Sequence, residues 1–218
     1  MNFLDMLERY KPASEKERVY RDNTIQFLYL HRKEAFKRAH YKGHFTVSFL
    51  LLNKEKTKLL LIRQPGELQW SAPTFFVNDQ RDLMGFAQES ARTLTAISAI
   101  EPAISAVFDV HVEKNVAPAD SFYETKRHMI SFLLRTTEEE APCSGNRIYY
   151  ELRWFPLNEP IPSGDPKLTN LVQKCRTLVG CVLPKRKVQK KESVPTSAPR
   201  KQIPLPKDAF PDNQEPSA

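Results

Sequence analysis

The stretch LQWSAPTFFVNDQRDLMGFAQESARTLTAI, residues 68–97, decides how this chain folds. Pro65 and Gly66 break the chain just before it, and from Asp82 onward the apolar residues change period. Leu83, Phe86, Ala87, Ala91 and Leu94 recur at intervals of three or four, which places them on one face of a helix. Asp82 carries a short carboxylate that can accept from the free N–H groups of a first turn, so it is the expected N-cap. The spacing predicts an amphipathic helix over residues 82–97.

Upstream, residues 45–52 form a near-continuous apolar run of strand length. A polar turn, 53–58, joins it to a second run at 59–62, so a hairpin with at least one well-buried strand is expected. Earlier still, Phe3, Leu4, Met6, Leu7 and Tyr10 fall at helical spacing until Pro12 ends the run. Ser14 followed by Glu17 has the form of a capping box opening a second helix to about His31, with Val19, Ile25, Leu28 and Leu30 as its apolar side.

Downstream, strand-like runs occupy 104–112, 129–134 and 148–155, with 113–127 read as a long excursion. A final helix is capped by Asp165 and opened by Pro166. Leu168, Leu171, Val172, Cys175, Leu178, Val179 and Val182 supply its stripe. The sum is a mixed α/β or α+β sandwich. It divides into a helical extension (1–34), a domain with its C-terminal helix (35–183) and a tail (184–218). The tail holds seven of the 17 prolines and the basic cluster Lys185, Arg186, Lys187, Lys190 and Lys191, with sparse apolar residues, so it is expected to be disordered. Such a cluster suits an anionic partner, whether nucleic acid, acidic membrane or acidic protein, and equally a solubilising appendage.

Composition narrows the class. An apolar fraction of 40% with 13 Phe is enough for a core and excludes a wholly disordered chain. No apolar run reaches the roughly 18 residues a membrane helix needs. Asp5 and Glu8 interrupt any signal-peptide pattern at the start, so a cytoplasmic setting is expected. Three cysteines without CxxC spacing argue against a disulfide framework and a structural zinc site. The formal net charge of +7 is concentrated in part in the tail.

The order of these landmarks resembles the Nudix hydrolase superfamily, in particular a bacterial branch with an N-terminal helical extension. LERYKPASEKE (7–17) is similar to that branch's opening, and AFKRAHYKGHFTVS (35–48) to its entry into the first strand. LQWSAP (68–73) matches the tryptophan and proline preceding the family's Gly-Gly, while AVFDVHVE (106–113) and YELRWFPLNE (150–159) resemble its later strands. The resemblance implies a mixed sheet flanked by helices and, for the family, metal-dependent hydrolysis of nucleoside diphosphate compounds.

The family's box, G-x5-E-x7-R-E-U-x-E-E-x-G-U, falls without a gap on residues 75–97. Its aliphatic positions survive as Ala91 and Ile97, and all seven others are lost. Phe75 stands for the first Gly, Arg81 for the first Glu, Glu89-Ser90 for Arg-Glu, Thr93-Leu94 for the later Glu pair and Ala96 for the closing Gly. Helix geometry leads us to expect Ser90, Thr93 and Leu94 on one face, where the family carries the carboxylates that hold Mg²⁺. Hydroxyls and a leucine cannot supply that charge to a hard cation, so metal and activated water are both expected to be missing. Phe75 would likewise remove a glycine-specific turn.

The reading is therefore an inactive Nudix-fold module, needing no cofactor, that binds a nucleotide-like ligand or a protein partner. Trp70, Phe75 and His44 are its ligand candidates. The alternative is a divergent hydrolase whose Mg²⁺ or Mn²⁺ is held by relocated acids: Asp82, Glu89 and Asp109, with Asp79, Glu113 and Glu124 also near in sequence. Glu89 is rotated about 100° from a metal position, off the face. A purely structural, interface-forming subunit is the third possibility. For His44 and Trp70, as for His40, His111, His128 and Trp154, the competing reading is a structural one, a hydrogen-bonded histidine or a core aromatic.

Overall fold

A computed structural model of the protein describes residues 2–115, 125–138 and 151–181. Helix α1 (Phe3–Arg9) opens with a capping box, Asn2 accepting from the Asp5 N–H and Asp5 from that of Asn2. Helix α2 (Glu15–His31) is capped by Ser14, which accepts from the Glu17 N–H at 3.2 Å. The expected reciprocal half of that box is absent. The Glu17 carboxylate turns instead to the Ala13 N–H (2.9 Å) and the Tyr10 hydroxyl (2.6 Å). The buried side of α2 is Thr24, Phe27 and Leu28, whereas Val19 and Leu30 lie exposed, contrary to expectation. A single 3-10 turn, Arg32–Phe36, leads into the sheet.

Among the described residues the sheet has seven strands: β1 (Gly43–Leu52), β2 (Lys58–Arg63), β3 (Thr74–Phe76), β4 (Ile100–Pro102), β5 (Asp109–Asn115), β6 (Thr125–Thr136) and β7 (Glu151–Pro156). Its centre is a parallel β1–β6 ladder running from Gly43↔Lys126 to Leu52↔Arg135. The far edge of β1 is shared, β3 pairing with residues 46–48 and β2 with 51–52. β6 likewise takes β5 along one half and β4 along the other, and β7 closes the outer edge on β2. The expected hairpin at 45–62 is present. Its turn is organised by Asn53, whose carbonyl accepts from the N–H groups of Thr57 and Lys58 at 2.8 Å.

Alternation along β1 separates two cores. Phe45, Val47, Phe49 and Leu51 join α1, α2 and helix α3 (Leu83–Thr95) in the first. Leu50 and Leu52 join Trp70, Phe155 and helix α4 (Pro166–Val179) in the second. Helices on both faces of a mixed sheet are the architecture read from the sequence.

Several boundaries differ. The apolar run at 104–112 is not one strand: it is buried in part at Val107 and Phe108, but pairing begins only at Asp109. Apolarity there reports burial rather than a ladder. Both ends of the expected excursion, 113–115 and 125–127, continue β5 and β6, paired out to Asn115↔Thr125, and residues 116–124 lie outside the described residues. α4 stops at Gly180, in the left-handed region at φ 72°, and its stripe is not continuous. Leu178 is 51% exposed while Arg176 is buried, its guanidinium donating to the carbonyls of Leu157 (2.7 Å) and Glu159 (2.6 Å). Val182, residues 148–150, Cys143 and the whole basic cluster lie outside the described residues. Among the described residues no helix is long and apolar enough to cross a membrane.

His128 ties α2 to the sheet. Its ring stacks on Phe27 at 4.5 Å, and Nδ1 lies 3.0 Å from Thr24 Oγ1. That hydroxyl donates to the Tyr20 carbonyl (2.8 Å), so it accepts from the imidazole and fixes the proton on Nδ1. Nε2 is buried with no partner. A second proton would have no acceptor there. Burial, with Lys126 adding to it, pulls the His128 pKa down to about 3. The unfolded chain takes up this proton below about pH 6.5 and the fold only near 3. The stability it contributes is therefore complete above 6.5 and is lost as the pH falls toward 3. Between pH 7 and 5 the loss should be about 2 kcal/mol. Urea unfolding of the wild type and His128→Phe at both pH values checks this: the variant should show a dependence shallower by that amount. Equal slopes would mean that the ring is not held neutral.

Candidate functional site

α3 carries Glu89, Ser90, Ala91, Thr93 and Leu94 of the positions aligned with the box. Asp82 caps it, Oδ1 accepting from the Gly85 N–H at 2.9 Å, and a side chain at Gly85 would press on that carboxylate, 2.3 Å from Oδ2. The face turned to the sheet is Leu83, Ala87, Ser90, Ala91 and Leu94. Ser90 and Leu94 are thus buried, but Thr93 is exposed. This corrects the expectation that the three project together. Positions 93 and 94 stand about 100° apart on a helix, and the packing that takes in Leu94 turns Thr93 to water. Glu89 and Arg81 are also exposed, Glu89 lying 3.6 Å from Arg92.

Ala96 ends α3 in the left-handed conformation, φ 59° and ψ 18°, which L side chains adopt at a cost and glycine freely. Ala96 is the residue that the resemblance aligned with the family's closing Gly. At the other end Phe75 stands in a strand and not in a glycine-type turn. Phe75 sits in β3, opposite Val47, with its ring stacked on Phe49 at 6.2 Å, and no left-handed turn occurs there.

Among the described residues the candidate acids are not brought together as a Mg²⁺ donor set. Asp82 is engaged as a cap, Glu89 points to solvent beside Arg92, and Asp109 lies on β5. Among the described residues no group of three or more His, Cys, Asp or Glu gathers in a metal-binding arrangement. Asp79, at φ 67°, donates its N–H to the Phe36 carbonyl at 2.9 Å, and Glu124 lies outside the described residues. Trp70 is 4% exposed, edge-on to Phe155 at 4.9 Å with the Arg63 guanidinium 4.8 Å from its ring centroid, so it belongs to the second core rather than to an open cleft.

Polar chemistry gathers on the sheet instead. Register places Glu113, Arg127 and His44 in one row, His111, Met129, Thr46 and Phe76 in the next, and Asp109, Ser131, Ser48 and Thr74 in a third. Ser48 and Ser131 join their hydroxyls at 2.7 Å, while His44 Nε2 and Thr46 Oγ1 are buried without a partner. His44 is held below its usual pKa by burial and by Arg127 and Arg38.

A cavity of about 450 Å³ opens on this face beneath the starts of α2 and α4, lined among others by Lys16, Tyr20, Asp109, His111, Ser131 and Lys167. Behind it Lys174 donates to Tyr10 (2.8 Å), Glu17 (2.9 Å) and Asp109 (3.0 Å). One ammonium serves two acids unequally. Burial pushes Asp109 up to about 6 despite Lys174. Burial also opposes ionisation of Glu17, but the hydrogen bonds from Tyr10, Ala13 and Lys174 outweigh it and hold Glu17 low. Glu113 pairs with Arg127 and Lys167, and burial with the nearby Lys167 and Lys16 lowers His111 to about 4. Sequence reasoning singled out Asp109 but missed Glu17, Lys174 and Tyr20 as its neighbours. Residues 17, 109 and 174 meet only through tertiary packing, and no local spacing announces that.

The chain matches no protein-family model and no curated protein. Among solved structures it is similar to the NUDIX domain of Shewanella oneidensis NrtR complexed with ADP ribose, at 17% identity over 71% of this chain and 97% of that one, TM-score 0.43. It is similar to a NUDIX hydrolase from Nitrosomonas europaea at 12% identity over 70% and 100%, TM-score 0.46. It is also similar to a C. elegans Ap4A hydrolase at 11% identity over 62% and 97%, TM-score 0.46. With TM-scores below 0.5, these likenesses carry no argument about activity.

Packing of the box face makes a direct prediction. Leu94→Glu, which restores the acid of the family pattern, should cost about 3 kcal/mol or more, because it buries a charge without a partner. Thr93→Glu should stay within about 0.5 kcal/mol. Urea unfolding separates the two, and equal costs would mean that the whole face is open to water.

Proposed function

We propose that this protein is a Nudix-fold binding module that holds a nucleotide-like ligand on the polar face of its sheet and does not carry out the family's metal-dependent hydrolysis. The observation that carries the reading is the burial of Ser90 and Leu94 against the sheet, with Thr93 turned to water. The box helix thereby serves as core, and among the described residues no cluster of acids stands in for carboxylates at Ser90, Thr93 and Leu94. The cavity at Tyr20 supplies what a nucleotide needs of a partner. The Tyr20 ring, edge-on to His111 at 4.7 Å, offers an aromatic surface to a base. Lys16 at the same cavity offers a cation to phosphate, and Lys167, paired with Glu113, stands beside it. The basic cluster 185–191 would add salt-sensitive attraction to an anionic partner.

Calorimetric titration with AMP and with ADP-ribose tests binding, and product analysis in the presence of Mg²⁺ or Mn²⁺ tests turnover. Binding without turnover is expected, with Kd raised about tenfold by Tyr20→Ala or Lys16→Ala, the loss of one stacking or charge-assisted contact. Metal-dependent release of AMP that disappears in Asp82→Asn or Glu89→Gln would replace this reading with that of a divergent hydrolase. Absence of binding by either compound would remove the nucleotide ligand.

A further inference from the structure

A second and larger cavity, about 580 Å³, lies away from the polar sheet face, between α1, the end of α2 with its following turn, and the start of α3. Its volume is in the range that small ligands occupy. Phe3, Leu28 and Leu83 are buried beneath it, while Leu4 and Phe36 are partly covered and form its walls. The remaining lining is cationic on balance. Arg32, Lys33 and Arg81 are all exposed at this cavity, and none makes an ion pair or side-chain hydrogen bond with a described residue. The one acid lining it, Asp82, already spends an oxygen on the cap of α3. Arg32 reaches this place from a backbone at φ 47° and ψ −120°.

We propose that this cavity binds a small amphipathic anion, an apolar body of acyl type with a single carboxylate or phosphate head. The body would lie against Phe3, Leu4 and Phe36, and the head against Arg32 and Arg81. Apolar burial supplies affinity, and the two exposed guanidinium groups at the rim select the charge. Charge complementarity argues against the chain's own basic segment 185–191 as occupant, since it would meet three cations.

The test is calorimetry on the full chain with decanoate, decyl phosphate and decanol, each below its aggregation limit. One-to-one binding of the two anions is expected, with decanol at least tenfold weaker. Arg32→Gln/Arg81→Gln should weaken the anions about tenfold and leave decanol unchanged, and Leu4→Trp, which fills the space, should weaken all three. Circular dichroism melts establish that each variant is folded. Equal binding of decanol and decanoate, or an anion Kd unmoved by the charge variant, would overturn the proposal. So would attachment to phosphatidylglycerol vesicles without binding of free decanoate, which would make the patch a membrane contact.

Discussion

The fold depends on β1 being packed on both faces at once. Phe45, Val47, Phe49, Leu50, Leu51 and Leu52 have no exposed surface, and the strand is bonded along its whole length to β6 and, in two portions, to β3 and β2. A strand so enclosed leaves no room for a register slip, since a shift of one residue would exchange the two faces. The exchange would be costly here because the faces differ in kind. One is apolar throughout and sits under α1, α2 and α3. The other turns from leucine under α4 to serine, threonine and histidine where the helix no longer covers it. The polar face is therefore a consequence of the position of α4 as much as of the residues on β1.

The same enclosure accounts for what became of the box helix. A helix that must cover Phe49 and Leu51 needs apolar side chains at Leu83, Ala87, Ala91 and Leu94, and it has them. Its left-handed terminus falls at Ala96, where glycine would be less strained. Leu94 answers a packing demand, whereas Thr93, one position away, faces water and answers none.

The helices, the 45–62 hairpin and the caps at Asp82 and Asp165 were legible because their signals are local: periodicity, a turn and a short acceptor at a helix start. Errors arose where a signal has two causes. Apolarity before Asp109 meant burial at Val107 and Phe108 rather than a strand. The stripe of α4 was overextended because Leu178 is apolar but exposed, and Arg176 was overlooked because a buried arginine satisfied by two carbonyls has no sequence signature. Box positions were assigned a common direction from spacing alone, but which way a helix rolls is decided by the sheet beneath it. The Glu17–Lys174–Asp109 cluster was invisible for the same reason.

The central ladder also fixes an order of assembly. Its partners, residues 43–52 and 126–135, are separated by a long stretch of chain, so the entropy of closing that loop must be met before any of its rungs is rewarded. The β1–β2 hairpin, α1, α2 and α3 involve near neighbours and can form early, but until β6 arrives the apolar residues of β1 face water along one open edge. Topologies with such distant pairing fold slowly. The newly made chain thus passes through a period in which its most hydrophobic strand is half paired, and cellular folding assistance would be of most use to it then.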